Sequence, residues 1–102
     1  MTLSIKDINN IEAEDGVDEY DYFASVQRAI NAGAWSFQGS YGRAMMEAIK
    51  DGRCVLGIKD FKDYYGNTIP SRTNVKAGTK GSEDYVKEAH GQDWLDFVLG
   101  LQ

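Results

Sequence analysis

The sequence predicts an all-α fold, a compact single domain of four or five short helices spanning residues 1–102. Three observations predict it. Apolar residues recur at three- and four-residue intervals, with Ser40 and Ser82 as capping residues and Gly33, Gly52 and Gly91 as stops around those stretches. A hydrophobic content of 42% with a single proline describes a folded chain without a long disordered tract. At 102 residues the chain can bury one core without help from metal or disulfide.

The N-terminal stretch places Leu3, Ile5, Ile8 and Ile11 among polar residues, a spacing that suits a strand at its start and a short helix at its end. Ser4 followed by Asp7 resembles a capping box for that helix. Residues 12–21 then hold six acids and no base, an arrangement whose mutual repulsion keeps it solvated. Asp18, Glu19 and Asp21 suit the positive end of a helix running from about Asp18 to Ala32, with Tyr20, Phe23, Val26 or Gln27, and Ile30 on its apolar face. Trp35 and Phe37 crowd the short link that follows and require burial.

Ser40 opens a second helix whose apolar face is Tyr41, Ala44, Met45, Ala48 and Ile49, closed by Gly52. This is the expected central helix. The run Cys54–Ile58 is short and apolar, which fits a buried strand or a helix. The spacing of Ile58, Phe61 and Tyr65, with Gly66 as a stop, favours a helix through this region. The alternative is an α+β domain with a two-stranded piece near Cys54–Ile58. Residues 67–81 read as a loop, because Pro70 biases Ile69 to an extended conformation and Gly78 and Gly81 follow. Ser82 caps a helix to about His90, and an apolar last helix runs from about Gln92 to Leu101.

The net charge of −5 is unevenly distributed. Residues 43–80 carry eight bases against four acids, whereas both flanking regions are acidic. A protein of this balance repels nucleic acid at long range, yet its basic middle can hold an acidic partner or a phosphate at short range. The loop 67–81 contains Arg72, Lys76 and Lys80 and no acid. A connection of this length is functional or locally structured.

The familiar chemical signatures are missing from the sequence. Gly78–Ser82 (GTKGS) precedes a helix, but Lys80 stands before Gly81, so the phosphate-loop pattern fails and an ordinary capped turn is the better reading. Residues 12–21 place Gly16 where a calcium loop needs a ligand. Cys54 beside Val55 and Leu56 reads as a small buried residue, and His90 as a cation at the negative end of a helix. The sequence predicts no cofactor and no bound metal. One cysteine and the lack of a basic-then-apolar leader point to the cytoplasm, and no apolar run is long enough to span a membrane.

The expected function is that of a small acidic non-enzymatic protein that binds another macromolecule, a protein or protein complex first. Its size and acidity suit an accessory or inhibitor protein of the phage or mobile-element type acting on a host complex, an analogy of scale that no motif carries. The candidate contact residues are Arg72, Lys76, Lys80, Tyr64, Tyr65 and Arg43. A second reading is a nucleic-acid contact module in which these cations and Arg53 meet phosphates while a tyrosine stacks on bases. A third is a small enzyme using Cys54 or His90. Met45, Ile49, Leu56 and Phe61 are expected inside; Arg72, Lys76 and Lys80 are expected outside.

Overall fold

Local chemistry sets most helix boundaries in the computed structural model, which describes residues 4–12, 16–36, 40–63 and 65–101. Helix α1 spans Ile5–Glu12, and the Ser4 hydroxyl accepts from the Asp7 amide at 3.0 Å as its cap. Helix α2 spans Glu19–Ala32. Asp18 accepts from the Tyr20 amide at 2.7 Å at its start, and Gly33 closes it with φ 79°, a left-handed turn natural to glycine. A 3₁₀ turn at Ala34–Ser36 buries Trp35. Phe37 and the segment expected to begin as a strand, residues 1–3, lie outside the described residues.

Helix α3 spans Ser40–Lys50, α4 spans Glu83–His90 and α5 spans Gln92–Leu99. Five α-helices among the described residues and a small sheet make a mainly helical single domain. The sheet is a two-stranded antiparallel hairpin, β1 at Phe61–Lys62 and β2 at Thr68–Ile69, with Phe61 opposite Ile69 and Lys62 opposite Thr68. The two-stranded piece of the alternative reading is therefore present, C-terminal to Cys54–Ile58.

The expected helix through Cys54–Gly66 is not there, and the reason is where this backbone finds its hydrogen bonds. Val55 bonds in both directions to the buried side chain of Gln27 on α2. Leu56 N–H donates to Gly81 O at 3.0 Å, and Arg72 N–H donates to Gly57 O at 2.9 Å. These partners replace the bonds a helix would have made within itself. Gly57 permits the arrangement, because a Cβ there would stand 3.0 Å from Ile30 O.

The core has two connected parts. One gathers Val26 and Ile30 of α2, Met45 and Ile49 of α3, Trp35 and Leu56. The other gathers Val55, Val86, Trp94, Leu95 and Val98 under α4 and α5. Phe23 packs against both. Met45, Ile49 and Leu56 are buried as expected, and Phe61 is partly buried against the first part. A clamp then holds the end of α3: Tyr85 Oη donates to Lys50 O at 3.0 Å, and Trp94 Nε1 donates to Arg53 O at 2.7 Å. His90 Nε2 lies 2.9 Å from Asp51 O, and because a carbonyl only accepts, the proton sits on Nε2.

Candidate functional site

Between Leu56 and Gly81 the chain leaves the helical body and returns, and this excursion carries most of the residues singled out from the sequence. Its neck is tied by the Leu56 N–H bond to Gly81 O. Its middle is tied by Asp60, whose Oδ1 accepts from the Ser71 amide at 2.7 Å and from Asn74 Nδ2 at 2.9 Å. At the hairpin turn, Asp63 Oδ1 accepts from the amides of Tyr65 at 2.9 Å and Asn67 at 2.8 Å. Phe61 anchors the hairpin on the body, its ring lying where a Cβ on Gly33 would be. These bonds tie the excursion at its neck, its middle and its turn.

These carboxylates are acceptors before they are surface charges. The hydrogen bonds from the Asn74 side chain and the Ser71 amide hold the Asp60 carboxyl below its ordinary range. For Asp63, desolvation pushes upward, but the bonds from Asn67, Tyr65 and Gly66 together outweigh it and hold this carboxyl low as well.

Arg72 corrects the sequence reading. Expected at the surface, it is half-buried, with Nε donating to Leu56 O at 2.8 Å and Nη2 donating to Asn31 Oδ1 at 3.0 Å. Burial pulls its pKa below the ordinary value, and the nearby charge of Glu83 opposes that effect. Its guanidinium braces the excursion against α2. Asn31 extends the network, since its Nδ2 donates to Leu101 O at 3.1 Å.

Lys76 and Lys80 are exposed as expected, and Tyr65 is 88% exposed beside the hairpin turn. Tyr64 lies outside the described residues. Arg43 is exposed on α3, in an element separate from the excursion. Arg53, included in the nucleic-acid reading, is engaged elsewhere: its guanidinium lies 5.4 Å from the Phe23 ring centre and 5.0 Å from that of Trp94, and bonds Glu19 at 2.6 Å. Sequence reasoning missed Ile58, which is 60% exposed, and the exposed Lys59 and Lys62. A helix through this region would set Ile58 on one face with Phe61. Lys59 stands 5.5 Å from the centre of the Phe61 ring, and Lys62 Nζ donates to Thr68 Oγ1 at 3.0 Å.

The other candidates have structural occupations. Cys54 is fully buried with Sγ 3.7 Å from Phe23 O, and burial drives its pKa upward despite the opposing charge of Arg53. Burial of this kind disfavours the thiolate, the reactive form of the group. In the turn before α4, Ser82 Oγ accepts from Tyr85 N at 3.2 Å and from Gly78 N at 3.1 Å, so its hydroxyl serves the helix cap. Among the described residues, no three His, Cys, Asp or Glu side chains are grouped to hold a metal ion, and no helix is long and apolar enough to cross a membrane. No protein-family model matches the chain, and comparison with curated proteins and with solved structures finds no match.

Proposed function

We propose that this protein is a non-enzymatic binding protein whose contact surface is the excursion between Leu56 and Gly81. The observation that carries the reading is Tyr65: a large aromatic, 88% exposed, beside a turn that Asp63 ties through two backbone amides. Exposed aromatics on a preorganised support are the residues that anchor interfaces. Exposed Ile58, Lys59, Lys76 and Lys80 lie in the same excursion and supply further apolar and cationic contact. Cys54 and His90, the residues of the enzymatic reading, are committed to the core and to the end of α3. An accessory or inhibitory role, exerted on a protein complex in the cytoplasm, suits a chain that offers a firm surface and a buried free thiol.

Affinity capture from an extract of the source cells tests the reading. The bait is the chain itself, compared with a variant carrying Tyr65→Ser, Lys76→Glu and Lys80→Glu. One stoichiometric macromolecule retained by the first and lost by the second is the expected result. Equal recovery by both baits, or recovery of nothing, removes the excursion as the contact surface. Nuclease treatment of the extract shows whether the captured species is nucleic acid.

A further inference from the structure

We infer that the excursion takes an acidic protein surface with an apolar recess, and not a nucleic-acid strand; this rests on the excursion being the contact surface. Three observations separate the two partners.

The first is which cations face outward. Arg72 is the excursion's one arginine, half-buried with its Nε and Nη2 donating to Leu56 O and Asn31 Oδ1. Only lysines remain exposed: Lys59, Lys62, Lys76 and Lys80. The Nε–Nη2 edge, the fork that would grip a phosphate in two places, is therefore already engaged. Lysines are point charges that serve carboxylates equally well.

The second is Ile58, 60% exposed in the same excursion. An aliphatic side chain has no hydrogen bond for a base edge and no attraction for a phosphate. It gains most from leaving water where the partner presents an apolar recess, which protein surfaces do far more often than a single strand.

The third is the field around the excursion. Its own carboxylates, Asp60 and Asp63, keep their charge, but the four exposed lysines outnumber them, so positive charge dominates locally. Beyond Gly81 the chain is acidic again: Glu83, Asp84, Glu88, Asp93 and Asp96 are exposed on α4 and α5. A polyanion long enough to extend from the excursion onto α4 and α5 would meet that repulsion, whereas a compact acidic patch need not extend so far.

Three probes test the inference against the full chain at one ionic strength: poly-L-glutamate, a random copolymer of glutamate and tyrosine, and an oligo-dT strand, the three matched in total charge. Fluorescence anisotropy of the labelled probes gives their dissociation constants. The copolymer is expected to bind at least tenfold tighter than oligo-dT and several-fold tighter than poly-L-glutamate. Ile58→Ser should erase the copolymer's advantage over poly-L-glutamate, and a triple charge reversal of Lys59, Lys76 and Lys80 should abolish binding of both. Circular dichroism of each variant checks that the helices persist. Tighter binding of oligo-dT, lost in the charge-reversed variant, overturns the acidic-protein inference and leaves the excursion as the contact. Binding that survives the reversal overturns both, and failure of all three probes to bind overturns the inference.

Discussion

The side chain of Gln27 bonds to both backbone polar groups of Val55, its Oε1 accepting from Val55 N–H and its Nε2 donating to Val55 O, each at 2.9 Å. Both residues are fully buried. The amide acts as a substitute peptide unit, joining a segment without regular structure to α2 as a neighbouring strand would. Nε2 also donates to Asn31 Oδ1 at 3.1 Å, which connects this pair to Arg72. The base of the excursion is thus part of the core's polar network.

Gln27→Leu keeps the volume of the side chain and removes its polar atoms. Val55 N–H and C=O then lose a buried partner each, and an unsatisfied buried group costs about 1–3 kcal/mol. The expected loss is about 2–5 kcal/mol, read from the shift in urea midpoint. A loss below about 0.5 kcal/mol would show that water or a rearranged backbone takes over those bonds.

Arg72→Met preserves the aliphatic stem but opens Leu56 O and one bond of Asn31 Oδ1. Hydrogen bonds from charged donors contribute about 1.5–3 kcal/mol each, and partial exposure lowers that, so a loss of about 2 kcal/mol is expected. Arg72→Lys should recover little of it, since one ammonium cannot reach both acceptors with the geometry of a fork. Lys76→Glu and Lys80→Glu, on exposed side chains, should change stability by less than about 0.5 kcal/mol. Denaturation of the four variants distinguishes the brace from the contact residues.

Val55 and Arg72 explain how far the sequence can be read. Helices α2 and α4 begin and end on chemistry visible within a few positions, such as Asp18 accepting from Tyr20 and Gly33 taking a positive φ. The residues after Cys54 are governed by partners that local periodicity does not encode. Val55 depends on a glutamine 28 positions earlier, and Arg72 on an asparagine 41 positions away. Arg72 reads as a surface charge until its acceptors are known. Of the candidate contact residues, Lys76, Lys80 and Tyr65 were visible as polar or aromatic residues near glycines. Ile58 was hidden by a spacing that happened to match a helix.

Gly33 is where α2 ends and where the hairpin rests. Its φ of 79° disfavours any side chain, and a Cβ would lie 2.3 Å from Phe61 Cε1. Gly33→Ala is expected to cost more than the ~1–2 kcal/mol typical of a left-handed residue, because the ring must also move. In the background of Phe61→Ala the added cost of Gly33→Ala should fall toward the backbone value alone. A double-mutant cycle measures the difference, and strict additivity would show that the ring yields freely.

Acid should loosen the excursion only at pH values below the ordinary carboxylate range. Asp60 and Asp63 are held below the ordinary carboxylate range in the folded chain, by Asn74 and Ser71 in one case and by Asn67, Tyr65 and Gly66 against desolvation in the other. A carboxyl whose folded pKa is depressed stabilises the fold fully above its unfolded pKa. That contribution declines as pH falls and is gone below the folded value. NMR shifts of the Ser71 and Asn67 amides, which donate to these carboxylates, should therefore move together at pH values below the usual carboxylate range while amides in the middle of α2 stay fixed. Asp60→Asn should displace the Ser71 signal, and Asp63→Asn the Asn67 signal, already at neutral pH. Amide shifts that titrate above the ordinary carboxylate range would mean that the two carboxylates do not brace the excursion.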